Sequence, residues 1–124
     1  VHITKLDHVN IRTTQIDAMT QWYTEVLGLS IGPRPDFSFP GVWLYTGEAA
    51  VIHLVGVDRL PSIGADLKLE HFAFKATGAE MFQDRLRTMG IRFYQENIDS
   101  INQTQIHLRD PDNNHVHIDF ISGE

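Results

Sequence analysis

The stretch DHVNIRTTQID at residues 7–17 decides the fold, because it recurs without a gap as EHFAFKATGAE at residues 70–80. Acid falls on acid at Asp7 and Glu70, His8 on His71, Arg12 on Lys75, Thr14 on Thr77 and Asp17 on Glu80, all at an offset of 63. Further out, Leu27-Gly28-Leu29 answers Met89-Gly90-Ile91 at an offset of 62, and His53 in VIHLV answers His117 in VHIDF at an offset of 64. A self-similarity that holds its spacing across a chain is the mark of a duplicated structural unit. The prediction is one domain over residues 1–124, built from module one (1–56), a linker (57–66, with Pro61 and Gly64) and module two (67–124).

Each module reads as strand, helix and three strands. From Thr4 to Arg12 the pattern ends in alternation, with Val9 and Ile11 on one face and His8, Asn10 and Arg12 on the other, as a strand with one buried face requires. Thr14 and Asp17 have capping-box spacing, Ile16, Met19, Tyr23, Val26 and Leu27 follow at helical spacing, and Gly28 supplies the stop. Strands are predicted at 29–34, 42–46 and 50–55, broken by Pro33, Pro35 and Pro40 and by Gly47-Glu48. Module two repeats the order, with a strand over 67–75 and a helix after Thr77 that turns Phe82, Leu86 and Met89 inward and stops at Gly90. Strands at 91–96, 104–109 and 115–121 follow, the last two joined by the turn Asp110-Pro111-Asp112-Asn113-Asn114.

Composition narrows the function. The 124 residues suit one compact soluble domain that buries roughly two-thirds of its unfolded surface. Ten basic against sixteen acidic residues give a net charge of −6, the wrong sign for nucleic-acid backbones or anionic membranes. No apolar run approaches the ~20 residues of a membrane-spanning helix, so the expected compartment is the cytoplasm. With no cysteine, thiolate chemistry and sulfur-ligated metals are excluded. Seven histidines stand out, because imidazole is the common nitrogen ligand for metals.

Alternation shows which histidines share a face. In the last strand Val116, Ile118 and Phe120 point under the helices, so His115, His117 and Asp119 point the other way. The same parity sets His53 opposite Ile52 and Leu54, His71 opposite Phe72 and Phe74, and His8 opposite Val9 and Ile11. Packing alone does not ask for imidazole at four repeat-equivalent positions, because an unpaired buried imidazole costs free energy. His8, His53, His71 and His117 are therefore the candidate metal ligands.

The βαβββ duplication, the Asp7-His8 start, the Trp22-Tyr23 and VLGL helix end at 26–29, the EHFAF strand and the RDPDNNHVHI ending resemble the vicinal oxygen chelate superfamily. That superfamily includes glyoxalase I, fosfomycin-resistance thiol transferases, extradiol dioxygenases and metal-free bleomycin-binding proteins. The resemblance covers essentially the whole chain. It implies an α+β, glyoxalase-like fold in which two tandem βαβββ modules form a curved, barrel-like mixed sheet with helices outside. It also implies metal ligands on the first, fourth, fifth and eighth strands, which map to His8, His53, His71 and His117, the four already selected by parity. The chain departs from the family ending at Asn113, where glycine is usual, and at His117, where glutamate is usual. The set of two histidines and one carboxylate used in extradiol oxygen chemistry is therefore incomplete on these four positions.

All-imidazole ligation leaves the charge of a divalent metal unneutralised and so strengthens it as a Lewis acid. Iron(II) or zinc ranks first, with nickel or manganese as further candidates. Parity adds Asn10, Trp43, Tyr45, His107 and His115 as candidate substrate-binding residues, and Glu96, with Tyr45, as candidate catalytic groups. Arg12 and Lys75 read as solvated strand ends. The functional expectation is a metal-dependent lyase, isomerase or dioxygenase acting on a small oxygenated molecule that chelates the metal. The alternative is a bleomycin-resistance-type binding protein without catalysis. Open strand edges in two similar modules lead to the expectation of a homodimer.

Overall fold

The computed structural model of the chain describes residues 1–62 and 66–123. Residues 63–65 of the predicted linker lie outside the described residues. The chain divides into two compact units, Val1–Ile63 and Gly64–Glu124.

Unit one contains β1 (Val9–Thr13), α1 (Ile16–Glu25), β2 (Ser30–Gly32), β3 (Gly41–Thr46) and β4 (Ala49–Gly56). Its four strands form one mixed sheet in the order β1-β4-β3-β2, with β1 parallel to β4 and the other neighbours antiparallel. Unit two repeats this with β5 (His71–Lys75), α2 (Ala79–Thr88), β6 (Tyr94–Ile98), β7 (Gln103–Arg109) and β8 (His115–Ile121), in the order β5-β8-β7-β6. A 3-10 turn at Asp99–Ile101, absent from the sequence prediction, joins β6 to β7. The α+β duplication and the glyoxalase-like architecture are thus present. Among the described residues the strands form two separate four-stranded sheets, one in each unit, where the resemblance implies one curved sheet.

The helix-side positions are buried as parity predicts, but His53, His107, His115 and His117 on the other face are buried too. In unit one Met19, Tyr23, Val26, Leu29, Leu44, Ile52 and Leu54 are buried, so α1 covers the sheet face opposite His53. In unit two Leu86, Ile106, Leu108, Val116, Ile118 and Phe120 are buried on the helix side. Met89 does not turn inward as the spacing predicts: it stands at the C-cap of α2 and is 39% exposed.

The helix ends are legible from glycine and the starts are not. Gly28 adopts φ 73°, Leu29 N–H donates to the Tyr23 carbonyl and Gly28 N–H to that of Thr24, a left-handed stop that satisfies two terminal carbonyls. The expected Thr14–Asp17 capping box does not form. Gln15 is the N-cap without a side-chain cap bond, and the hydroxyl of buried Thr13 accepts from Gln15 N–H at 3.0 Å. Nor does Thr77 cap α2, whose N-cap is Gly78 at φ 84°. The predicted strand starts are also too early. Thr4 to His8 precede β1, 67 to 70 precede β5, and β6 begins at Tyr94 in place of Ile91.

The turn between β7 and β8 fixes where the last strand begins. Asp110 Oδ1 accepts from the backbone N–H groups of Asp112 (3.0 Å) and Asn114 (2.8 Å), and Asn114 Nδ2 donates to Asp110 Oδ2 at 2.9 Å. Asn113, where the family has glycine, takes φ 66°. Asparagine is among the few residues that enter this left-handed region readily.

Candidate functional site

In unit one the site residues form a stack of rings. His8 lies one residue before β1, and His53 on β4 is in register with Asn10 on β1 and Trp43 on β3. The His53 ring is sandwiched between His8 (centroids 3.8 Å apart, planes at 13°) and Trp43 (3.9 Å, 9°). His8 Nδ1–H donates to Asp7 Oδ2 at 2.7 Å, which leaves Nε2 with the lone pair in the neutral ring. His53 Nε2–H donates to the Ala50 carbonyl at 3.1 Å. Burial, with the nearby His8 charge, pushes the His53 pKa down. The hydrogen bond to His8 holds the Asp7 carboxyl below its usual range.

The other unit-one candidates sit around this stack. Trp43 is half-buried and faces Phe37 at 6.4 Å, and Phe37 stacks on Phe39 at 5.0 Å with the Arg34 guanidinium about equally close to both rings. The Tyr45 hydroxyl donates to the Pro33 carbonyl, and its ring covers Gly32, where a Cβ would fall 2.5 Å from the ring. Asn10 and Arg12 are exposed.

In unit two the corresponding face carries four imidazoles, of which His71, His115 and His107 are joined at hydrogen-bond distance through Glu70 and one another, and His117 is hydrogen-bonded to Asp119. Register sets His71 beside His115, Ala73 beside His117, His107 beside His117 and Tyr94 beside His107. His71 Nδ1–H donates to Glu70 Oε2, as His8 does to Asp7, and His117 Nδ1–H donates to Asp119 Oδ1 at 2.5 Å. The His71 and His117 rings are 4.4 Å apart. The same Glu70 oxygen lies 3.1 Å from His115 Nδ1, His115 Nε2 lies 2.8 Å from His107 Nδ1, and His107 Nε2 lies 3.1 Å from Gln105 Oε1. Glu96 reaches His107 Nε2 at 3.3 Å and is half exposed, while Tyr94 stacks flat on His107 at 4.4 Å. Burial is the main cause of the lowered pKa values of His107 and His115. The hydrogen bond from His71 leads the lowering of the Glu70 pKa. Lys75 is exposed.

Within its unit, each predicted ligand pair is brought together: His8 with His53, and His71 with His117. Three of these four imidazoles turn Nδ1 onto a carboxylate and leave the Nε2 lone pair free of it, the arrangement that fixes tautomer and orientation of histidines in metal sites. The donor set fits a divalent ion. Among the described residues, one group of three also offers donor atoms all within 4.8 Å of one another: Glu70, His71 and His115. Ligand atoms around one such ion lie about 3–4 Å apart for bonds near 2.1 Å, a change within the reach of side-chain rotation. Sequence reasoning overlooked Glu70 and Asp7 as site residues. The signal was the acid before each histidine in the repeat, aligned at Asp7 and Glu70 but given no role.

Residues 5–118 match the family model of the Glyoxalase/Bleomycin resistance protein/Dioxygenase superfamily, and the chain belongs to that superfamily. It is similar to the Arabidopsis thaliana protein named Glyoxylase I 4, with 29% identity over 119 residues, covering 90% of this chain and 68% of that protein. Among solved structures, a glyoxalase family protein from Bacillus anthracis superposes with a TM-score of 0.81 at 20% identity over 98% of both chains. A lactoylglutathione lyase from Agrobacterium tumefaciens gives 0.72 at 16% identity over 95% of this chain and 94% of that one. A fosfomycin resistance protein from Listeria monocytogenes gives 0.73 at 13% identity over 96% and 94%. At these identities the structures share the fold. No helix among the described residues is long and apolar enough to cross a membrane.

Proposed function

We propose that the chain is a metal-dependent enzyme of this superfamily, acting on a small oxygenated molecule that binds the metal through its oxygens, with lyase, isomerase or dioxygenase chemistry. The observation that carries this reading is the pairing of His8, His71 and His117 with Asp7, Glu70 and Asp119, which frees three Nε2 atoms. His8, His53, His71 and His117 would hold iron(II) or zinc, with nickel or manganese as further candidates. A divalent ion bound to imidazoles supplies Lewis acidity toward an oxygen of the substrate.

The chain's own groups then position and move protons. Each orienting carboxylate keeps its histidine in the Nδ1–H tautomer and compensates part of the charge. The exposed carboxylate of Glu96 is the general base, and His107 beside it shares the proton. Trp43 forms an aromatic wall next to His53. Asn10 and His115 line the same sheet faces as the ligands and contact substrate, and Tyr45, anchored through Pro33, shapes the wall. The working unit would be a cytoplasmic homodimer of single-domain chains, giving twice the 14.1 kDa chain mass by light scattering.

The test is metal content. Protein purified without added metal should hold a divalent ion, and the double variant His8→Ala/His71→Ala should lose it. Full retention in that variant overturns the assignment. Wild-type protein without metal that still binds a planar drug-like ligand would favour the bleomycin-resistance-type alternative.

A further inference from the structure

The polarity of the hydrogen bonds in unit two leaves one contact unbalanced. Gln105 Nε2 donates to Gln103 Oε1 at 2.9 Å, which fixes its amide and turns Oε1 toward His107 Nε2. Glu96 presents a second acceptor to the same nitrogen at 3.3 Å. His107 Nε2 therefore carries the proton, and in the neutral ring Nδ1 accepts. Its partner at 2.8 Å, His115 Nε2, must donate. A neutral His115 then aims the bare lone pair of Nδ1 at the anionic Glu70 Oε2, 3.1 Å away. Two lone pairs facing at hydrogen-bond distance repel unless a proton or a metal ion lies between them, and the geometry suits the ion, because Glu70, His71 and His115 offer donor atoms that all lie within 4.8 Å of one another. The His71 imidazole touches the same carboxylate oxygen from another side.

We infer that unit two is a divalent-ion site in its own right, formed by Glu70, His71 and His115, and able to hold an ion without any ligand from unit one. This set supplies two imidazoles and one carboxylate, the mixed donors that His8, His53, His71 and His117 lack. The carboxylate comes from the residue preceding β5 and the second imidazole from the first residue of β8, two positions before His117. The site shares His71 with the four-histidine set, so one ion occupies either set and the stoichiometry stays at a single ion per chain. Unit one has no counterpart. Asp7 and His8 repeat Glu70 and His71, but the position equivalent to His115, by the offset that relates His53 to His117, is Val51, which offers no donor.

The inference goes beyond the proposed function, and one set of variants separates the two. Cobalt(II) is titrated into metal-free full-length protein and followed by its visible absorption and by metal analysis after gel filtration. His8→Ala/His53→Ala should still bind a single equivalent, with a spectrum shifted by the change to mixed nitrogen and oxygen donors. Adding Glu70→Gln or His115→Gln to that variant should abolish binding, whereas His71→Ala/His117→Ala should bind none. If His8→Ala/His53→Ala loses the ion while wild type keeps it, the inference is overturned and the four-histidine reading stands. If His115→Gln alone abolishes binding, the inference stands and the four-histidine set is overturned. A wild type that binds no cobalt overturns both. Gln is isosteric with Glu and is an uncharged polar side chain in place of His, so circular dichroism matching wild type separates loss of ligand from loss of fold.

Discussion

The two units descend from one pattern and treat their imidazoles differently. Unit one packs His53 between two rings, His8 and Trp43, and sends its Nε2–H to its own backbone at Ala50. Unit two places a third imidazole, His107, where unit one has Trp43, and a fourth, His115, where unit one has Val51. Two substitutions thus convert a stack held by ring faces into a network held by ring edges. In unit one the proton-bearing nitrogen is set ring by ring, at His8 by Asp7 and at His53 by the Ala50 carbonyl. A hydrogen-bonded chain settles it at every link, and that order makes an unbalanced contact visible at Glu70.

The comparison can be broken most forcefully in the cores. Helix α1 buries Met19 and Tyr23 completely, while α2 fully buries only Leu86. Tyr23→Ala is expected to cost about 3–5 kcal/mol and Leu86→Ala about 2–4 kcal/mol by urea denaturation. A Leu86 effect larger than that of Tyr23 would show that unit two depends on its helix more than burial implies.

Smaller effects probe the turns and the stack. Asn113→Ala places a β-carbon without a compensating polar group at φ 66° and should cost about 1 kcal/mol, with Asn113→Gly close to neutral. The matching turn of unit one carries Gly47 at φ 57°, so Gly47→Asn should be the milder of the two exchanges and Gly47→Ala the more costly. Trp43→Leu keeps the apolar bulk but removes a stacked partner from His53, an expected loss of about 0.5–1.5 kcal/mol. No change in the unfolding midpoint would mean that the His8–His53–Trp43 stack contributes nothing to stability.

The smallest effect is one of pH. Burial lowers the pKa of His107 and His115 in unit two and of His53 in unit one. Around His107 stand His115 and His117, which lower it further, and Glu96 and Asp119, which raise it. His115 faces Glu70, Arg109 and His71, and His53 faces His8 and Asp7. As pH falls through the unfolded histidine value near 6.5, the unfolded chain takes up protons that these folded groups refuse. Stability in chelator-treated protein should therefore be full above that value and decline as pH drops toward the lowered folded values. Asp7 and Glu70, with lowered carboxyl pKa values, lose their contribution only at more acid pH. Denaturation midpoints at pH 7.5 and 5.5 should converge more in His107→Gln/His115→Gln than in His53→Gln, and equal convergence would contradict the difference between the units.

Much of this was legible because strand parity and duplication are both written in the spacing of residues. The side of His71 and His117 follows from alternation, since β8 must turn Val116, Ile118 and Phe120 under the helix, whereas His8, one residue before β1, needs the repeat to place it beside His53. Glu70 and Asp7 were not legible as site residues. They precede their strands, where alternation no longer decides direction, and only the fold turns their carboxylates back onto the next imidazole. The helix starts failed for a related reason: Thr14 and Thr77 have capping spacing, but the backbone enters α1 through Thr13 and α2 through Gly78. A local hydroxyl competes with any other acceptor nearby, and spacing does not rank them.

The Asp110–Asn114 turn carries a consequence for how such a chain can change. Its closed loop of hydrogen bonds counts the residues between β7 and β8 and so decides which side of the sheet each residue of β8 faces. Because side chains alternate, gaining or losing one residue there would exchange the two faces at a stroke. Val116 and Ile118 would stand where the imidazoles now are, and His115 and His117 would be driven among Ile106 and Leu108. Point substitutions can retune the chemistry step by step. A change of length in this loop admits no intermediate, which makes the loop a gatekeeper of inheritance for a site to which it contributes no ligand.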